Sequence, residues 1–200
     1  MPLWDVGARD SLAIGPRIAR QVVLLDPHEL VAGKLAALFG RHASRDLFDV
    51  HSLLQLPGLE RRKLRLAFVV HGASSRRDWR TLVVGDIDME PRDAERELVP
   101  LLRADLAPAR HELEAWCARL VAECHGMLSA LLPLEGGEAE FLERIHERGE
   151  IAPELLTDDA RLQQRIRSHP GLLWKTLNVR RHRGLDNRPG STTSGGEQGS

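Results

Sequence analysis

Leu25-Asp26-Pro27-His28-Glu29-Leu30-Val31-Ala32-Gly33-Lys34-Leu35-Ala36-Ala37-Leu38-Phe39-Gly40-Arg41, followed after three residues by Arg45-Asp46-Leu47-Phe48-Asp49-Val50, decides how this chain is read. Asp26 can cap a helix, Pro27 suits its first position, and Glu29 stands three residues after the cap, where it can reach back to close a capping box. The apolar residues Leu30, Val31, Leu35, Leu38 and Phe39 share most of one face and Gly40 offers a stop, which predicts a helix over 27–40. A second helix is predicted over 44–54, burying Leu47, Val50, Leu53 and Leu54 and ending before Pro57-Gly58. The two form a helical hairpin or corner.

Working outward, Gln21 to Leu25 fits a brief strand stopped by Asp26-Pro27, and residues 1–20 carry no clear element. Downstream, helical patterns cover 60–71, 92–104, 108–131, 136–148, 158–168 with Thr157 as cap, and 170–183. Residues 72–90 are turn-rich and read as a long loop. The expected fold is therefore mainly α, with at most a short strand near residues 21–25, in one helical unit over 1–185. Residues 186–200 are rich in Gly, Ser and Thr, and a disordered tail is expected there.

Composition narrows the function classes. No apolar run approaches the roughly 18 residues of a membrane span, and the start shows no basic cluster leading into an apolar stretch, so a cytoplasmic protein without membrane attachment is expected. Lys and Arg number 28 against 29 Asp and Glu, a net charge of -1. Such a chain has no global attraction for polyanions, and any phosphate binding must come from a local cluster. The two cysteines, Cys117 and Cys124, stand seven apart on one predicted helix, which suits buried thiols rather than a disulfide. The nine histidines lack metal-ligand spacing. The four tryptophans and four phenylalanines read as core anchors rather than a base-stacking platform.

The charges of the opening stretch can carry chemistry. Glu29, Lys34, Arg41, Arg45, Asp46 and Asp49 fall within 21 otherwise largely apolar residues. Arg45 and Asp49 are four apart and can pair along a helix. One reading is a salt-bridge network that ties two helices together. The other uses the same geometry for substrate: Lys as a mobile charge for nucleotide phosphates, Arg as a fork that grips them, and two carboxylates to hold a metal or orient a hydroxyl. At the far end, Lys175, Arg180, Arg181, His182 and Arg183 either complement a helix dipole or contact an RNA backbone.

In spacing and residue type, the stretch from Leu25 to Leu38 with Arg41 and Arg45 to Val50 resembles the later conserved motifs of the AbiEii/AbiGii nucleotidyltransferase toxins. Phe141-Leu142, Gly149-Glu150-Ile151, Glu154-Leu155-Leu156, His169 to Lys175 and Asn178-Val179-Arg180 resemble the helical C-terminal part of the same proteins, so the likeness covers roughly residues 2–185. It implies the C-terminal portion of an α+β, DNA polymerase β-like enzyme. Such an enzyme transfers a nucleoside monophosphate from a nucleoside triphosphate, with Mg²⁺, to an RNA such as tRNA. It would act as the toxin of a type IV toxin-antitoxin, phage-defence pair with a cognate antitoxin. Carried over by position, Lys34 contacts the triphosphate, Asp46 and Asp49 serve the catalytic centre, and Glu29, Arg41 and Arg45 position substrate or one another.

The departure from the family pattern lies in the metal motif, a Gly-Gly or Gly-Ser turn followed by Asp-x-Asp on a strand ahead of the Glu/Lys motif. Nothing upstream of Glu29 matches it, and a truncated enzyme lacking that motif is expected, with no metal ligand assigned. Asp86-Ile87-Asp88 imitates the motif but follows the helices, and a solvated loop is the expectation for it. The competing expectation is a catalytically inactive helical module that binds nucleotide or RNA, or a remnant whose uncovered apolar face is exposed.

Overall fold

The computed structural model describes residues 2–185. Among them it contains one two-stranded sheet and eight helices, so the chain is mainly α. Strands β1 (Gly7–Arg9) and β2 (Val22–Leu24) pair antiparallel, with Ala8 opposite Val23. The helices are α1 (Pro27–Arg41), α2 (Ser44–Leu54), α3 (Arg61–Ala73) and α4, which starts at Pro91–Asp93 and continues as a π turn over Ala94–Leu98. They are followed by α5 (Leu113–Leu128), α6 (Gly136–Glu143, continued as a π turn over Arg144–Arg148), α7 (Ala160–Arg167) and α8 (Pro170–His182).

α1 is the central element and packs on α3 and α2, and α2 in turn packs on α5. Val31, Ala32, Leu35, Leu38 and Phe39 bury the inner face of α1, while Leu30, expected on that face, is exposed. Asp26 caps the helix by accepting from the His28 N–H at 2.9 Å. The capping box does not close, because the Glu29 carboxylate turns away from its own helix to the chain start, accepting from the Leu3 N–H at 2.8 Å and the Trp4 N–H at 3.2 Å. The helix also runs through Gly40 and stops at His42, whose φ of 54° places it in the left-handed region. Histidine is tolerated there better than β-branched residues, and its N–H closes the last turn on the Leu38 carbonyl.

The segment expected to be a structureless loop is part of the core. Short 3-10 turns cover Trp79–Thr81 and Val84–Asp86, and Trp79, Leu82, Ile87 and Met89 are buried. The Trp79 ring packs against Phe39 and Phe68 and lies over Gly72, where a Cβ would come within 2.0 Å of it. Only glycine in α3 permits that approach. Helix α7 is capped by Asp159 rather than Thr157, with the Asp159 carboxylate accepting from the Arg161 and Leu162 N–H groups. Cys117 and Cys124 are free and buried, and burial pushes the Cys124 thiol up to about 12.

The β-ribbon stands outside this core. Leu12, Ile14, Val23, Leu24 and Leu25 are all exposed, so its apolar residues are uncovered on both faces. The tail beginning at Asp186 lies outside the described residues.

Candidate functional site

The six charged residues of the opening stretch do not form one site. Glu29 is 3% exposed and spends both carboxylate oxygens on backbone N–H groups. Beside it, His28 is buried and bridges two helices. Its Nδ1 lies 2.7 Å from the Asp26 carboxylate and its Nε2 accepts from the Glu60 N–H at 2.8 Å, which fixes the tautomer with the proton on Nδ1. The N-terminal end of α1 is thus occupied by structure-holding bonds.

Farther along α1 the charges face outward. Lys34 Nζ donates to Asp49 Oδ2 at 2.6 Å, and both side chains are about four-tenths exposed, 38% and 43%. Arg41 grips Asp46 with two parallel bonds, Nε to Oδ2 at 3.1 Å and Nη2 to Oδ1 at 3.0 Å. Asp46 is buried at the start of α2, where a carboxylate suits the helix dipole, and Arg41 reaches it from solvent. The expected pair Arg45 with Asp49 does not form. Lys34 takes Asp49, and Arg45 is exposed without an ion pair among the described residues.

Two recesses lie beyond Arg41. The wider, about 690 Å³, is lined by residues that include Arg41, His42, His71, Arg76 and Arg77. Arg77 is anchored, donating to the Phe39 carbonyl at 3.2 Å and pairing with Asp86 at 2.8 Å. His71 sits in the wall against His169, and burial pushes it down to about 4, with the neighbouring imidazole adding to the effect. The narrower recess, about 370 Å³, shares Ser75 and Arg76 with the first and continues to Lys175 and Arg183 on and after α8. Lys175 donates to the Ser75 carbonyl at 2.8 Å, and burial lowers its pKa. Neither recess is lined by a carboxylate.

Asp86 and Asp88 are not a pair in space for a cation. Asp86 is half-buried, accepting from the Val83 N–H at 3.0 Å and holding Arg77, and Asp88 points to solvent. Asp86 is therefore a structural partner of Arg77 rather than a freely solvated loop residue. Sequence reasoning also passed over Arg65, a buried guanidinium held by Glu138 at 2.9 Å and by the Ala130 carbonyl at 3.0 Å.

A family model described as nucleotidyl transferase AbiEii toxin, type IV TA system, matches residues 5–122. The chain belongs to that family. The AbiEii match runs from the β-ribbon into α5 and contains both ion pairs of the α1–α2 corner, whereas α6 to α8 lie beyond it. Among curated proteins and among solved structures, nothing matches the chain. AbiEii membership brings with it a nucleotide substrate and an antitoxin counterpart at the level of the family. No described helix is long and apolar enough to cross a membrane. The Mg²⁺ that nucleotidyl transfer implies does not fit the described residues: they contain no group of three or more potential ligands, Asp46 and Asp49 are each paired with a cation, and Asp86 is paired with Arg77.

Proposed function

We propose that the chain supplies the nucleotide- and RNA-holding part of a nucleotidyltransferase toxin. In the reaction, the acceptor hydroxyl of an RNA such as tRNA attacks the α-phosphorus of a nucleoside triphosphate and pyrophosphate leaves. The setting would be the cytoplasm, as part of an abortive-infection response to phage. The observation that carries this reading is a pair of neighbouring ion pairs whose cations reach in from solvent, Lys34 to Asp49 and Arg41 to Asp46.

Lys34 can swing from its carboxylate to a phosphate at little cost, because an exposed ion pair contributes at most about 1 kcal/mol. Arg41, exposed itself, would leave the buried Asp46 to the dipole of α2. Lys34 would take the triphosphate as a point charge, and Arg41 would grip it with its fork. Arg45, one residue from Asp46 and exposed, would steer the substrate. Asp46 and Asp49, three apart on α2, would then be free to accept a hydrogen bond from the acceptor hydroxyl. Glu29 would position Lys34 indirectly by fixing the start of α1.

The test is calorimetric titration of the purified chain with nucleoside triphosphates, alongside label transfer to tRNA in the presence of Mg²⁺. Binding that weakens about tenfold or more in Lys34→Ala supports the corner, and binding unchanged by that substitution rules it out. Label transfer lost in Asp86→Ala but retained in Asp46→Ala would move the chemistry to the loop. A second reading, a binding module without chemistry, is favoured by the cation pairing of Asp46, Asp49 and Asp86, and it predicts triphosphate binding with no label transfer.

A further inference from the structure

α8 carries an aromatic residue in a place where the core does not use it. Trp79 and Trp116 are 1% and 8% exposed, whereas Trp174 is 59% exposed on a helix that buries Leu172 and Thr176 on its opposite side. The indole does not stand alone on a convex face. It borders the narrower recess together with Arg76, Lys175, Asn178 and His182. Arg76 is exposed and has no ion pair among the described residues, and Lys175 spends one of its three ammonium hydrogens on the Ser75 carbonyl. In a chain with more acidic than basic residues, two contiguous recesses collect Arg41, Arg76, Arg77, Lys175 and Arg183 without one lining carboxylate. Arg41, Arg77 and Arg183 are held by Asp46, Asp86 and Glu147 behind the walls, which leaves Arg76 and Lys175 as the local cluster that a chain of net charge -1 needs to hold a polyanion.

We propose that the recess between Ser75-Arg76 and α8 seats the single-stranded end of an RNA, with one nucleobase stacked on Trp174 and the adjoining phosphates on Arg76 and Lys175. A flat exposed indole beside unpaired cations is the pattern that binds unstacked bases, and a base inside a duplex offers no face to it. An acidic protein segment would satisfy the cations but leave the indole without a flat partner. The shared wall at Ser75 and Arg76 leads from this seat into the wider recess and on to Arg41, so a strand held on Trp174 can run toward the corner. This site rests on the reading of the acceptor as RNA and lies outside the part of the chain that the family match covers.

Fluorescence anisotropy of a labelled 12-nucleotide single-stranded RNA, titrated with the full chain, tests it. Trp174→Ala is expected to weaken binding about tenfold or more, and Trp174→Phe to restore most of it. Arg76→Ala and Lys175→Ala should each weaken binding a few-fold and flatten the slope of log affinity against log salt by about 0.7. All three side chains are at least partly exposed, and unchanged circular dichroism melting would show that the variants fold. Trp174→Ala binding RNA as the wild type does, or no RNA binding by the wild type, overturns the proposal and leaves the face to a protein partner. Label transfer run in parallel separates the two readings. Trp174-dependent RNA binding without any transfer sinks the transfer reaction and keeps the seat, and wild-type transfer to tRNA by Trp174→Ala does the reverse.

Discussion

The two ends of α1 carry charges of the same motif and use them in opposite ways. At the N-terminal end, Glu29 is buried and holds the backbone of Leu3 and Trp4, with His28 locked between Asp26 and Glu60. From the middle of the helix to its C-terminal end, Lys34 and Arg41 reach their carboxylates from solvent. A buried charge that loses its partners leaves unpaired groups behind, whereas an exposed cation can exchange one anion for another. A motif that looks uniform in sequence is thus divided between holding the fold and handling a ligand.

The largest expected effect tests the first half of that division. Glu29→Ala strands two backbone N–H groups that now bond a carboxylate, and it should cost about 3 to 5 kcal/mol, or roughly 10 °C in Tm for a chain of this size. A melting temperature within a degree or two of the wild type would erase the contrast.

Acid acts on buried groups at the other end of α1. His71 has its pKa pushed down from 6.5 to about 4, and burial lowers those of His146 and His169 as well. The unfolded chain therefore binds protons that the folded one refuses, so stability is complete above about pH 6.5 and falls as the pH drops toward 4. His71 alone should account for roughly 3 kcal/mol at the bottom of that window. Denaturant midpoints measured from pH 7 to 4 should show the decline, and His71→Gln should flatten it.

Asp46 lies between the two classes, buried itself but gripped by an exposed Arg41. Asp46→Ala should cost about 1 to 2 kcal/mol. A double-mutant cycle with Arg41→Ala should attribute less than about 1 kcal/mol of that to the pair. The smallest stability effect belongs to Lys34→Ala, about 0.5 kcal/mol. If that substitution destabilised the fold as much as Glu29→Ala, the corner would be structural throughout.

Much of the helical layout was legible because it is written locally. The cap at Asp26, the apolar spacing of α1 and α2 and the Pro170 start of α8 place those elements within a residue or so of where they stand. What escaped depends on partners distant in sequence. Glu29 satisfies the local rule for a capping box, yet the backbone 25 and 26 residues earlier wins its carboxylate. β1 lacks a strand pattern of its own and forms because β2 returns to it. Trp79 sits in a turn-rich segment, and only the gap over Gly72 makes it a core residue. Trp174 misleads the other way, since aromatic residues at helical spacing read as core. Both ion pairs were within reach of sequence, but the partner of Asp49 follows from how α1 crosses α2, which spacing along one helix does not reveal.

The hold on the chain start has a second half. Arg165 of α7 donates to the Leu3 carbonyl and pairs with Asp5, across 162 and 160 residues. During synthesis at roughly 5 to 20 residues per second, Leu3 would wait about 10 to 30 s for that arginine to be made. Until then Glu29 is its partner alone. Leu3 and Asp5 are thus fully secured only once Arg165 has been made, and their docking reports that nearly the whole helical unit has been assembled.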